Sequence, residues 1–210
     1  YANEANQFGN KFLARIDWNI SDKHKAAFRY NVLSGESMQV ANGTSGPNPR
    51  SSWNRVSENS MAFESANYSI KNVVSSLTAE LNSSFNSQLS NKFLFTYSKI
   101  QDTRKTPNDQ LFPFVDIWDG GGNYISFGTE LFSYLNEVVN NNFSFTNNLT
   151  YIGGKHTITA GAAFEVQKFG NSYTRMGTGY YRYASVEDFL KTGTANEVAP
   201  TMFGLTYPYE

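Results

Sequence analysis

Apolar and polar residues alternate with a period of two along much of this 210-residue chain. That is the pattern of a strand whose two faces meet different surroundings. Between Lys11 and Ile20, Phe12, Ala14, Ile16, Trp18 and Ile20 share one face, and Leu13, Arg15, Asp17 and Asn19 the other. A polar turn, Ser21 to His24, leads into Ala26, Phe28, Tyr30 and Val32, with Lys25, Ala27, Arg29 and Asn31 opposite. A second hairpin sets Val73, Ser75, Leu77, Ala79, Leu81, Ser83 and Phe85 before a turn at Asn86-Ser87-Gln88, and Leu89, Asn91, Phe93, Phe95 and Tyr97 after it. A third sets Phe143, Phe145, Asn147, Leu149 and Tyr151 before Gly153-Gly154-Lys155, and Ile158, Ala160, Ala162, Phe164 and Val166 after it.

The pattern therefore predicts an all-β chain of about six strands, in hairpins at about 11–32, 73–99 and 142–168. The three apolar faces hold 31 residues and no Asp, Glu, Lys or Arg. The opposite faces hold 30 residues, seven of them charged: Arg15, Asp17, Lys25, Arg29, Glu80, Lys92 and Glu165. One face meets something that rejects charge and the other meets water. A protein core and a lipid bilayer both do that, so alternation alone leaves a soluble β-sandwich open.

Loop lengths separate the two. Connections within hairpins are three or four residues long; those between and after hairpins run over about 33–72, 100–141 and 169–210. Short and long alternate strictly, so every long connection emerges on one side, as in transmembrane antiparallel β-barrels with short periplasmic turns and long external loops. Unstructured loops of this length are rare in compact domains. Trp18, Phe85 and Tyr151 precede the short turns, and Tyr30, Tyr97 and Phe143 lie near the other ends, where interfacial aromatic girdles belong. Asn91 and Asn147 on the apolar face depart from the pattern. Six strands fall short of the roughly eight needed to close a membrane barrel, so the chain reads as 1–210 of one larger barrel domain, an internal segment.

Composition narrows the picture further. Lys+Arg is 17 and Asp+Glu 18, which argues against nucleic acid as a partner. Asn, Ser and Thr number 24, 22 and 16, yet aromatics reach 16%, unlike a disordered chain. Cysteine is absent, which excludes disulfides, thiolate metal sites and Cys catalysis. No run of 18 apolar residues is present, so no spanning helix is expected, and the first residues do not read as a signal peptide.

Lys11 to Trp18, with Asp22-Lys23-His24-Lys25 and Phe28-Arg29-Tyr30, resembles the early barrel hairpins of TonB-dependent outer-membrane receptors. Gly154-Lys155-His156-Thr157-Ile158-Thr159-Ala160-Gly161, followed by Phe164-Glu165, is similar to a hairpin recurrent in that family. Phe112 to Ile117 and Ser185 to Gly193 resemble loops of its Oar-like branch, common in Bacteroidota. The resemblance spans nearly the whole chain. It implies a bacterial outer-membrane location, a 22-stranded barrel and uptake of a nutrient. It further implies coupling to TonB through an N-terminal plug not in this chain, a possible surface lipoprotein partner, and no catalytic residues. A non-transporting surface or adhesin barrel and a soluble carbohydrate-binding sandwich remain alternatives.

Candidate sites follow from these placements. Trp53, Trp118, Tyr173, Tyr180, Tyr181 and Tyr183 lie in the long connections, where exposed aromatics suit ligand or partner contact; the competing reading packs them against one another. Arg15, Asp17, Arg29, Glu80, Lys92 and Glu165 face the lumen, either as a polar translocation surface or bonded among themselves. Asp116 to Asn123 sets carboxylates beside glycines without calcium-loop spacing, and reads as a glycine turn. His24 and His156 flank short turns with no ligand set around them. No metal, no cofactor and no catalytic constellation is expected. Ser185 with Asp188 predicts a short capped helix anchored by Val186, Phe189 and Leu190.

Overall fold

The structure, a computed structural model, describes residues 7–43, 45–107 and 110–207. In chain order the strands are β1 (Gln7–Ser21), β2 (His24–Gln39), β3 (Met61–Ala62), β4 (Tyr68–Ser84), β5 (Leu89–Lys105) and β6 (Phe114–Asp119). They continue as β7 (Gly122–Phe127), β8 (Glu137–Gly153), β9 (His156–Ser172), β10 (Tyr180–Tyr183) and β11 (Met202–Gly204), with helix α1 (Val186–Leu190) between the last two.

Six long strands make one antiparallel sheet in the order β1-β2-β4-β5-β8-β9. Directly opposed residues share a face, so the register shows whether the hairpin patterns agree. They do: Ile16, Phe28, Ala79, Phe95, Phe145 and Phe164 form one transverse row. Behind it, Arg15, Arg29, Thr78, Thr96, Ser144 and Glu165 form the matching row on the charge-bearing face. Within the apolar row Phe95 and Phe145 bring their ring centroids to 4.9 Å; in the next row Tyr97 and Phe143 come to 4.8 Å.

Among the described residues no second layer covers the apolar face. Phe145 keeps 39% of its surface and Phe164 65%. In a sandwich this face would be the dry core between two sheets, so that alternative is excluded for these strands. An apolar face of this size left open belongs against lipid. No helix among the described residues is long and apolar enough to cross a membrane; the crossing elements are strands.

The two asparagines that interrupt the apolar face answer each other. Asn91 Nδ2 donates to Asn147 Oδ1 at 2.9 Å and to the Asn148 carbonyl at 3.2 Å. A diagonal pair on neighbouring strands thus satisfies groups that lipid cannot.

The strands extend four to seven residues beyond the expected hairpins at the ends remote from the short turns. There the chain reads Ser34-Gly35-Glu36-Ser37 or Asp102-Thr103-Arg104-Lys105, polar on both faces. Alternation ends where lipid ends, but the backbone ladder continues into water, so a hydrophobic pattern underestimates strand length.

The long connections are folded, which is the main departure from the sequence reading. They contribute a second, five-stranded sheet, β11-β10-β6-β7-β3, called the cap below. Gly120 and Gly121, at φ +59° and +87°, form the two-residue turn between antiparallel β6 and β7, a geometry glycine favours. β10 runs parallel to β6, and β3 parallel to β7. Both faces of β6 are buried. Phe114 joins Tyr180, Leu131, Ala66 and Ala41 on one side; Val115 and Ile117 join Tyr183 on the other. Helix α1 packs Val186 and Phe189 on this second cluster, and the Ser185 hydroxyl accepts the Asp188 N–H at 3.1 Å as N-cap. Leu190, expected to anchor the helix, is instead 69% exposed: Val186 and Phe189 take the face that meets the cluster and Leu190 is left towards solvent.

Candidate functional site

The cap is held by a charged network that draws one residue set from each long connection. Arg55 grips Asp116 with two parallel bonds, Nε to Oδ1 and Nη2 to Oδ2, each 2.8 Å. Both side chains are 2% exposed. Ser126 Oγ donates to Asp116 Oδ1 at 2.6 Å and Tyr180 OH donates to Oδ2 at 2.8 Å. Arg182 Nε donates in turn to the Tyr180 hydroxyl at 2.9 Å. Its other nitrogens donate to the Pro49 and Pro47 carbonyls at 2.8 and 2.9 Å. Arg55 also donates to Ser45 and to the Asn42 carbonyl. Aromatic faces cover both guanidiniums: Phe114 lies 4.6 Å from Arg55, and Trp118 4.1 Å from Arg182.

Burial pushes the Tyr180 phenol pKa well above its ordinary value, and the Asp116 charge adds to the rise. The Arg182 guanidinium opposes both without cancelling them. The phenol therefore stays protonated and keeps donating. Breaking a buried pair of this kind leaves an uncompensated charge, at a cost of about 3–5 kcal/mol. A cavity of about 80 Å³ lies beside the network, lined by Arg50, Arg55, Asp116 and Arg182 among others. All three guanidinium nitrogens of Arg55 and of Arg182 already donate to protein acceptors.

The sequence-predicted contact aromatics divide into two groups. Tyr180 and Tyr183 are 0% and 6% exposed, so their rings hold the cap together and meet no arriving molecule while it is folded. Tyr173 is 54% exposed and stacks on Phe132, centroids 6.3 Å apart. Tyr181 is half-buried against Phe203 at 5.2 Å. Trp53 and Trp118 are partly open and share one anchor, Asn123. Its Nδ2 donates to the Trp53 carbonyl at 3.0 Å, and its Oδ1 accepts Trp118 Nε1 at 2.9 Å.

On the charge-bearing face Arg15 holds Asp17 at 2.7 Å and Lys92 holds Glu80 at 3.4 Å. Glu80 also accepts from Asn82, and Glu165 from Gln167. Arg29 faces Arg15 across the β1–β2 ladder. His24 shares a 2.9 Å bond with Ser83 across the β2–β4 ladder, and His156 sits at the β8–β9 turn.

Arg104, on the charge-bearing face of β5, links wall and cap. It reaches the buried Glu130 at 3.8 Å, and its guanidinium lies 4.8 Å from the Tyr68 ring. Sequence reading missed Arg55, Asp116, Arg182 and Glu130 as a structural set. The available signal was the hairpin Phe114 to Phe127, two short β-rich runs around Gly120-Gly121; the partners across loops leave no local trace.

A lipid-facing antiparallel sheet with short turns at one end and a folded cap at the other defines an outer-membrane barrel protein of bacteria. Comparison with family models agrees: residues 1–209 match the outer membrane beta barrel domain, and the chain belongs to that family. Neither the curated proteins nor the solved structures yield a match to this chain.

Proposed function

We propose that the chain forms part of the wall and the external cap of a TonB-dependent transporter that admits a nutrient. The observation that carries this reading is the cap itself. Three outer connections are spent on one sheet with a buried charged network, and its base reaches the charge-bearing face through Arg104 and Glu130. A cap so placed suits selection of cargo before passage. Coupling to TonB through a plug, docking of a surface lipoprotein on the cap, the Oar-like affiliation and the absence of catalysis all belong to this proposal. A non-transporting adhesin barrel is the second reading, favoured by the exposed aromatics Tyr173 and Tyr207.

Deletion of the gene separates the two readings. In a transporter, uptake of at least one component of a labelled nutrient mixture falls in the deletion strain, and a protonophore abolishes the same uptake in the parent. Unchanged uptake with lost surface attachment supports the adhesin instead.

A further inference from the structure

A second cleft on the cap lies outside the charged network. It measures about 490 Å³, within the roughly 300–1,000 Å³ of small-molecule sites. Trp53 and Tyr124 give it two aromatic walls and Met61 an apolar one; Glu58, Asn59 and Asp119 give it polar groups. Tyr124 and Met61 are 41% and 53% exposed, so this apolar surface is open. The Trp53 ring is fixed from behind, since it covers Gly122 so closely that a Cβ there would meet it at 2.5 Å.

The charge of the cleft selects its occupant. Its lining contains no Lys, Arg or His. Elsewhere in the cap Asp116, Glu130, Glu187 and Asp188 each meet an arginine or lysine. Glu58 and Asp119 meet none among the described residues, and the guanidinium nitrogens of Arg55 and Arg182 donate to other acceptors. Two unneutralised carboxylates between aromatic walls favour a cation that brings an apolar body: the ring faces attract the charge and the carboxylates pair with it. A neutral polyol would gain the rings but leave both charges unmatched.

We propose that this cleft binds organic cations, ligands bearing an ammonium or guanidinium group on an apolar stem, such as a basic side chain of a short peptide. The proposal rests on the transporter reading only for its purpose, cargo selection; binding stands or falls separately.

The test uses outer-membrane vesicles carrying the protein, with binding measured without energisation. The probes are acetyl-phenylalanyl-lysine amide, the norleucine peptide in which a hydrogen replaces the ammonium, and maltotriose as a neutral polyol. The lysine peptide is expected to bind at least about tenfold tighter than the norleucine peptide, and less tightly as salt rises. Glu58→Gln and Asp119→Asn should each weaken it about fivefold, which is about 1 kcal/mol, the upper end for an exposed ion pair. Tyr124→Leu should weaken both peptides while protease resistance of the cap shows that it stays folded. Equal affinity for the two peptides, preference for maltotriose, or no loss in the Glu58→Gln/Asp119→Asn double variant overturns the proposal. Charge-selective binding without energised uptake refutes the transporter reading and leaves the site; uptake with no charge preference does the reverse.

Discussion

Replacing Phe95 by arginine probes the lipid-facing assignment at a defined depth. Phe95 lies in the row Ile16, Phe28, Ala79, Phe95, Phe145 and Phe164, one row inward from Tyr97 and Phe143. Two residues along a strand are about 7 Å, so the site is inside the aromatic girdle and short of the midplane. An arginine on the lipid face costs about 2–4 kcal/mol at the midplane and about 0–1 near the interface; about 2 kcal/mol is appropriate here. Losing the ring pair with Phe145, 4.9 Å between centroids, adds about 1 kcal/mol. The expected loss is therefore about 3 kcal/mol. Thr96→Arg, one residue on, points to the opposite face between Thr78 and Ser144 and should cost less than about 1 kcal/mol. Urea titration of the protein refolded into phospholipid vesicles gives both values, and the heat-modifiable band on gels gives folded yield. Equal stability of the two variants, or a more damaging Thr96→Arg, would refute the facing of the sheet.

Three further outcomes follow from the bonds described. Asp116→Asn should destabilise the cap by about 3–5 kcal/mol and leave the barrel intact, seen as faster proteolysis within 40–67 and 106–136 with an unchanged heat-modifiable band. Because the folded Tyr180 pKa is raised above the unfolded value of about 10, its stabilising contribution is complete below pH 10 and lost as pH rises through the folded value; cap stability should fall above pH 10 in the wild type and less steeply in Tyr180→Phe. Asn91→Leu or Asn147→Leu alone should cost about 1–3 kcal/mol by orphaning its partner, while the double replacement should be near neutral or stabilising, a double-mutant cycle in vesicles being the measurement.

The wall was legible because lipid imposes a rule on every second residue. From Phe12 to Ile20, or Leu89 to Tyr97, one constraint acts on a whole face, and both the facing and the pairing follow from it. The cap obeys no such rule. β6 is buried on both faces, so Phe114, Val115, Asp116 and Ile117 show no alternation, and its parallel partner Tyr180–Tyr183 lies more than sixty residues away. Asp116 lies four residues before the Gly120-Gly121 turn, and its partner, Arg55, is 61 residues distant and leaves no spacing to read. The loop aromatics illustrate the same limit: composition placed them in the connections, and only the folded cap distinguishes the buried Tyr180 and Tyr183 from the open Tyr173.

A barrel wall of this layout requires the cap outside the cell and the short turns within the periplasm. The chain has no native cysteine, so single cysteines can be placed at Ser52 and Asn196 on exposed cap positions and at Lys23, Gln88 and Lys155 on the exposed turns. Intact cells are treated with a membrane-impermeant maleimide and compared with cells whose outer membrane has been permeabilised. Ser52→Cys and Asn196→Cys are expected to label in intact cells, and Lys23→Cys, Gln88→Cys and Lys155→Cys only after permeabilisation. Labelling of the turn cysteines in intact cells while the cap cysteines stay protected would contradict this topology.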